Sequence, residues 1–481
     1  MAKFEELNVQ CSMLNIQFSM KRSILVASCW LLVTGSFGQT VIQKLQKAFT
    51  IFEKDSQLRH AISSLYVIDA NTGQVVFDKN SQIGLAPAST QKIITSVTAF
   101  ELLGKDYRYK TSFFTLGGNL FIIPSGDPSF GSWRWRETDL DVIFTKMISA
   151  FKEKNIIELR NVFIDNSGWD AEGIPDGWIW QDVGNYYGAG AHKLNYRENQ
   201  YDIHLKSGSK IGDSVTIDSI FPSSLINKYQ NLKSKLKSAK LGSGDNAYVY
   251  LPDDPFGHYL IRGTIPIKEE KFTISASITN PEWAISEPLL LILQEKMNFD
   301  IGNGVYDVLT YSPIQQNSKL IYTHYSPTLD SIIYWFNKKS INLYGEALIK
   351  TFAYEKKGIG STDSGVAVVK NFWKEKGMDE NELNIVDGSG LSPLNRVTTH
   401  AQVEILKFAK AKDWFPYFFN SLPEYNGMKI KSGTINGVKG FCGYHKAKNG
   451  KEYIFSFLVN NYNGSSSALV NKMYKVLDLL K

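Results

Sequence analysis

Cysteine is nearly absent, with three in 481 residues. Cys11 and Cys29 fall in a segment expected to be removed. Cys442 then stands alone, so no internal disulfide can staple the mature chain even in an oxidising compartment. It lies in Lys439-Gly440-Phe441-Cys442-Gly443-Tyr444, a buried-strand pattern, and is expected as a small core residue. Histidine is scarce too, with seven, and no H-E-x-x-H or comparable spacing is present. That argues against a zinc peptidase, and no metal or cofactor is expected. Charge of one sign is also in short supply: 53 Lys and Arg against 47 Asp and Glu leave +6. With no basic stripe interleaved with aromatics, an excess this small points to no nucleic-acid partner. Low-complexity tracts are missing, and 43% hydrophobic with 21% charged residues is the balance of a folded protein. A chain of 481 residues exceeds one ordinary domain, so two or three are expected.

Long apolar runs are absent as well. The strongest begins after Met20-Lys21-Arg22 and covers residues 24–33. That is too short to span a bilayer, so membrane association is expected to be peripheral at most. Thr34-Gly35-Ser36-Phe37-Gly38-Gln39 follows, with small residues at the −3 and −1 positions of a cleavage between Gly38 and Gln39. Basic start, short apolar stretch and small-residue site together make a secretory signal, and the protein is expected in the periplasm or cell envelope. Residues 1–19 fit this poorly, since Glu5 and Glu6 precede the signal, and translation is expected to start at Met20. Val26-Ala27-Ser28-Cys29 resembles a lipoprotein signal, but the apolar run continues beyond Cys29, which disfavours acylation there.

Along the mature chain, 65–68 and 74–77 are short apolar runs around the turn Asp69-Ala70-Asn71-Thr72-Gly73, a hairpin signal. Ala86-Pro87-Ala88 leads into a helix over 90–103, with Ile93, Val97 and Phe100 on one face and Gly104 beyond its end. Near the other terminus, 428–434, 439–446 and 452–460 read as three strands, and 465–480 as a closing helix striped by Leu469, Met473, Val476 and Leu480. Before them, Ser326-Pro327 opens one helix and 342–352 forms another. The middle differs in texture: short β-like runs separated by Gly, Asp, Asn and Pro. We expect an α/β catalytic domain in two segments, 39–106 and 320–481. Region 107–319 is expected to be a mainly β insertion of two small domains, one of them β-rich over 203–280.

Ser89-Thr90-Gln91-Lys92 is an S-x-x-K motif at the head of the first helix. Positions i and i+3 share a face there, so the lysine amine reaches the serine hydroxyl. A serine hydroxyl is a weak nucleophile and needs a base. Lysine serves only if burial or a nearby cation lowers its pKa. Alone the motif is weak: Ser207-Gly208-Ser209-Lys210 and Ser234-Lys235-Leu236-Lys237 match it too, in polar stretches with no apolar helix behind them. Order separates Ser89 from these. Ser340-Ile341-Asn342 follows between two helices, and Lys431-Ser432-Gly433-Thr434 lies on an expected strand. This three-part set is that of β-lactamases and penicillin-binding proteins. Ser340 can relay a proton, and Asn342 can hold Lys92 and a substrate amide. Lys431 supplies a positive field that lowers the Lys92 pKa and attracts a terminal carboxylate. Ser432 and Thr434 can bind that carboxylate, and Gly433 lets a substrate backbone lie close to the strand. The Ser89 and Thr434 amides would form an oxyanion hole.

The chain resembles the D-alanyl-D-alanine carboxypeptidase/endopeptidase family of low-molecular-mass class C penicillin-binding proteins, peptidase family S13. Pro87-Ala88-Ser89 with Lys92 resembles its first block, and Ser340-Ile341-Asn342-Leu343 with Glu346-Ala347-Leu348 its second. Asp387-Gly388-Ser389-Gly390-Leu391-Ser392 resembles a block characteristic of it. Ser125-Gly126-Asp127-Pro128 and Asp165-Asn166-Ser167 resemble blocks of its inserted domains. About 250 residues lie between Lys92 and the second motif, room for such an insertion. The resemblance implies a transpeptidase-like fold, an antiparallel sheet flanked by helices. It implies a Ser89 acyl-enzyme acting on peptidoglycan stem peptides ending in D-Ala-D-Ala and on cross-links, with β-lactams as inhibitors. It also offers Asp165 as a contact for a diamino acid of the stem peptide, against the alternative of a strand-end turn. Two positions depart from the pattern. Ile341 replaces a common Asp. Pro393 stands where relatives often carry an Arg linked to the peptide's side-chain carboxylate, and Arg396 is the candidate substitute.

Trp133, Trp135, Trp178 and Trp180 could stack on glycan, although such residues more often belong to cores or half-buried surface. A β-lactamase or esterase of the same serine superfamily, and a non-catalytic wall-binding protein, are the rival readings. The export reading predicts a mature protein beginning at Gln39. Intact mass of the secreted chain checks it, and any other first residue rejects that cleavage site.

Overall fold

The computed structural model describes residues 40–226, 229, 231–253, 257–299, 306–310, 312 and 317–481. The signal segment with Met20, Cys11 and Cys29 lies outside the described residues. Among the described residues, no helix is long and apolar enough to cross a membrane.

The two ends of the chain build one six-stranded antiparallel sheet. Its order is Glu424–Tyr425, Met428–Ile435, Val438–Lys446, Glu452–Asn460, Ile62–Asp69 and Val75–Lys79. Alternation along each strand divides the side chains between two faces. Leu65, Val67, Phe441, Phe455 and Phe457 join Leu45 and Phe49 of helix Val41–Glu53 and Leu469 and Met473 of helix Ser466–Leu477. Their neighbours Tyr66, Ile68, Cys442, Tyr444 and Ile454 face the other way, onto Ile93 and Val97 of helix Lys92–Leu102. Cys442 is fully buried and free.

Helix Lys92–Leu102 is buried on every side over its first nine residues. Its sequence suits that place. Apolar residues alternate with small hydroxyl residues, whose polar atoms are satisfied inside the protein. Thr98 Oγ1 donates to the Ile94 carbonyl at 2.8 Å and accepts from Trp373 Nε1 at 2.9 Å. Helices Leu329–Lys338, Asn342–Lys357, Thr362–Glu375 and Thr399–Lys410 pack around it. The last two were not foreseen from sequence.

Among the described residues, region 107–319 forms three further sheets. One has the order Tyr306–Leu309, Asn161–Asp165, Asn119–Ile123, Lys110–Leu116, Lys319–Tyr325. A three-stranded sheet holds Phe272–Ser277, Gln200–Lys206 and Thr216–Phe221. The third groups Asn246–Tyr250, Tyr259–Pro266, Leu232–Ser234 and Lys237–Ala239. Strand Lys319–Tyr325 pairs with Lys110–Leu116, so the chain returns to the catalytic unit after Tyr325 and not at residue 320. One cluster of buried side chains runs through the insertion: Phe113, Leu120 and Ile164 join Ile203, Leu205, Ile261 and Ile274. The β-rich stretch therefore shares its core with the rest of the insertion.

Two helices of the catalytic unit meet at backbone distance. A Cβ added at Gly365 would lie 2.0 Å from the Ile349 carbonyl oxygen. Gly365→Ala should therefore destabilise the protein by about 1–3 kcal/mol. Chemical unfolding followed by tryptophan fluorescence measures this, and an unchanged midpoint would contradict the close approach.

Candidate active site

Pro87 turns the chain into a short 3-10 segment, Ala88–Gln91, which runs straight into helix Lys92–Leu102. Thr90 Oγ1 closes the turn by donating to the Pro87 carbonyl at 2.7 Å. Ala88 takes φ +47°, a left-handed conformation that costs energy for any residue but glycine. The kink precedes Ser89, which is the half-exposed residue of a buried segment. One turn on, the Lys92 Nζ lies 2.9 Å from Ser89 Oγ.

Lys92 is fully buried. Its amine has two further partners: Asn342 Oδ1 at 2.6 Å and the Ser389 carbonyl at 2.7 Å. Burial first, then the positive charge of Lys431, hold its pKa well below the ordinary lysine value. A neutral amine has two hydrogens and one lone pair. Both oxygens can only accept, so each takes one hydrogen. In the neutral form the lone pair is then left for the third direction, towards Ser89. Asn342 is oriented for this by its own amide nitrogen, which donates to the Tyr187 carbonyl at 2.7 Å and turns Oδ1 to the lysine.

Ser340 is also left-handed, at φ +58°, between helices Leu329–Lys338 and Asn342–Lys357. Its hydroxyl accepts from Lys431 Nζ at 2.9 Å, and the same amine donates to the Ser432 carbonyl at 2.9 Å. Lys431 is buried, and burial brings its pKa down to about 7. Gly433 also has a packing role. A Cβ there would lie 2.6 Å from the Pro87 carbonyl and 2.9 Å from the Ser89 nitrogen. The missing side chain lets the strand press against the turn that carries Ser89. Thr434 is exposed, and its hydroxyl accepts from Lys439 Nζ at 2.7 Å.

Ser89, Ser340, Asn342 and Thr434 line one cleft of about 970 Å³, whose opposite wall includes Asp182, Tyr186 and Tyr187 from the insertion. Lys92 and Lys431 lie beneath it, joined to its lining by the bonds above.

The block 387–392 is the floor under Lys92. Asp387 Oδ1 accepts from Gln91 Nε2 at 3.0 Å, the Gly390 amide at 2.8 Å and Asn395 Nδ2 at 2.9 Å. Its Oδ2 accepts from the Ser392 amide at 2.7 Å and Trp178 Nε1 at 3.0 Å. The two glycines are contact points: a Cβ at Gly388 would meet the Gly345 carbonyl at 2.3 Å, and one at Gly390 the Ala88 carbonyl at 2.0 Å. Glu346 Oε2 accepts from the Gly388 amide at 3.0 Å, and burial together with Asp387 raises its pKa.

Asp165 is not brought to the cleft. It is buried, its Oδ2 lies 3.2 Å from the buried Lys193 amine, and its Oδ1 accepts from the Ser167 amide at 2.7 Å. These are the contacts of a carboxylate at a strand-end turn. Two carboxylates of the insertion line the cleft: Glu198, paired with Arg134 at 2.6 Å, and Asp182 on helix Trp180–Val183. Burial raises the Asp182 pKa, and the Tyr187 hydroxyl, which donates to it at 3.4 Å, opposes that rise. The local sequence of Asp182 carries no signal that sets it apart from other acidic residues. Arg396 donates to the Pro393 and Asn395 carbonyls, at 2.5 and 2.8 Å, and does not line the cleft. Of the four tryptophans, Trp133 does line it, with the Arg134 and Arg197 guanidinium groups 5.5 and 4.9 Å from its ring. The serines of the two other S-x-x-K matches bind backbone: Ser207 Oγ accepts from the Glu269 amide, and Ser234 Oγ donates to the Val215 carbonyl. Among the described residues, no three His, Cys, Asp or Glu side chains gather to hold a metal ion.

A sheet between helices, a serine with a buried lysine, and two further motifs converging from distant parts of the chain define the penicillin-recognising class of serine enzymes. The model of the D-Ala-D-Ala carboxypeptidase 3 (S13) family matches residues 45–424, and the chain belongs to that family. It is accordingly a peptidase. A D-alanyl-D-alanine carboxypeptidase of an Actinomadura species is 25% identical over 477 residues, covering 89% of this chain and 83% of that one. The D-alanyl-D-alanine carboxypeptidase DacB of Haemophilus influenzae is 22% identical, covering 82% and 84%. The crystal structure of penicillin-binding protein 4 (DacB) from Haemophilus influenzae superposes with a TM-score of 0.73 at 18% identity, over 92% of this chain and 99% of that one. The fold is shared.

The two lysines should sense each other. Removing the Lys431 charge removes a cause of the low Lys92 pKa, so Lys92 would hold its proton to higher pH. Lys431→Met should move the acid limb of acylation by a labelled penicillin upward by about one pH unit. A pH series of acylation rates checks this, and an unmoved limb would mean that the amines are uncoupled.

Proposed function

We propose that this is a D-Ala-D-Ala carboxypeptidase and endopeptidase of peptidoglycan that works through a Ser89 acyl-enzyme. The observation that carries the reading is the contact of the buried, pKa-lowered Lys92 amine with Ser89 Oγ at 2.9 Å. Lys92 takes the Ser89 proton as the hydroxyl attacks the carbonyl of the penultimate D-alanine. The oxyanion is held by the Ser89 and Thr434 amides. Ser340, bridged to Lys431, passes a proton to the leaving nitrogen. D-Alanine, or the amine of a cross-bridge, departs, and water releases the acyl group. Lys431, Ser432 and Thr434 attract the terminal carboxylate, and the Lys439 amine beside Thr434 adds positive field there.

Asp182 takes over the role that the sequence offered to Asp165. A half-buried carboxylate facing the cleft suits an amine on the side chain of a stem-peptide residue. β-Lactams acylate Ser89 as substrate mimics. The signal segment supports export to the periplasm or cell envelope.

A labelled penicillin should form a stable adduct with the protein and none with Ser89→Ala, and the wild type should release D-alanine from stem pentapeptides. An adduct on Ser89→Ala would refute the nucleophile. Rapid penicillin turnover without D-alanine release would favour a β-lactamase.

A further inference from the structure

Both oxygens that hold the hydrogens of Lys92 are themselves fixed by the inserted region. Asn342 Oδ1 faces the lysine because its amide nitrogen is bound to the Tyr187 carbonyl. The Ser389 carbonyl faces it because its loop is gathered on Asp387, and Asp387 receives a hydrogen bond from Trp178 Nε1. Tyr187 and Trp178 both belong to the insertion, one on each side of Asp182. The second attachment is tight. Ser392 Oγ donates to the Gly177 carbonyl at 3.0 Å, and a Cβ at Gly177 would lie 2.8 Å from that hydroxyl and 2.5 Å from Leu394 Cδ1. Gly177 has φ +78°, so it holds this seat with a backbone that other residues adopt only under strain.

We infer that the insertion is part of the catalytic apparatus: Trp178, through Asp387 and the Ser389 carbonyl, and the Tyr187 carbonyl, through Asn342, are positioning groups that aim the Lys92 lone pair at Ser89. This rests on the reading of Lys92 as the base. An amine on four methylenes rotates freely unless its hydrogens have fixed acceptors. With one acceptor loosened, the two hydrogens and the lone pair exchange places, and the fraction of molecules with the lone pair on Ser89 falls. Trp178, Asp387 and Ser389 do not line the cleft, so loosening the bond from Trp178 leaves the substrate contacts in place. The deficit therefore belongs in the acylation rate constant.

Trp178→Phe keeps the ring and removes the N–H. It should lower the acylation rate constant of a labelled penicillin about tenfold or more, with the dissociation constant of the non-covalent complex and the melting temperature unchanged. Ser392→Ala, which leaves all five bonds to the Asp387 carboxylate, should shift the same constant in the same direction by less. Asp387→Asn should lower it further, and its acid limb should move to lower pH because Asp387 is one of the charges that raise the Lys92 pKa. Lys92→Met is the control for the underlying reading. If Lys92→Met is inactive and Trp178→Phe acylates at the wild-type rate, the positioning role is refuted and the base stands. If Lys92→Met acylates normally, the base reading fails and this inference with it. A Trp178→Phe defect seen only in the dissociation constant would also overturn it.

Discussion

A lysine amine without access to water must leave its hydrogens on other groups, and most of this active site follows from where they go. Helix Lys92–Leu102 is buried on all sides over its first nine residues, so Lys92 cannot escape to solvent. Burial strips the amine of the water that would keep it charged. Two oxygens that only accept are brought to it, one from helix Asn342–Lys357 and one from the block after Asp387. Ser89 is what remains in the third direction. The left-handed turn at Ala88, the glycine at 433 and the glycine at 390 all serve the same packing, because each lets backbone approach the segment that carries the nucleophile.

Helix Asn342–Lys357 ties the two parts of the molecule together. Asn342 binds the Tyr187 carbonyl, Tyr344 donates to Glu198 at 2.7 Å, and the Lys350 amine donates to the Glu172 carbonyl. Glu198 is held in turn by Arg134 at 2.6 Å. Positions 342, 344 and 350 are polar among the helix's buried residues, and each of the three donates to an acceptor in the insertion. Buried polar groups cost energy unless paired, so this seam is specific in register as well as in shape.

The three motifs, their order and the strands and helices that carry them were legible in the sequence, because each rests on local rules. Periodicity placed the hairpin, the last three strands and the closing helix. A proline and a run of small residues marked the nucleophile's turn. What was not legible depends on contacts between distant segments. Asp165 and Asp182 are both acidic residues at the ends of short elements, and only the fold shows that one meets Lys193 while the other meets the cleft. The close approach of Gly433 to the turn before Ser89 is likewise visible only in the fold. Strand Lys319–Tyr325 joins Lys110–Leu116, and a strand's local sequence does not say which sheet it will join. Helix Thr399–Lys410 was missed: it buries Thr399 and Gln402 beside apolar residues, which blurs its stripe.

The pairing of Ile62 with Asn460 closes the central sheet between the two ends of the chain. Everything between them lies inside that loop, and closing a loop so long costs conformational entropy. Strand Met428–Ile435, which carries Lys431, reaches Ile62–Asp69 only through the two strands that follow it in the chain. Without strand Met428–Ile435 in place, Ser89 and Lys92 lack the Lys431 charge that acts on the lysine. The cleft is thus a property of the closed sheet, and neither segment of the chain holds it alone.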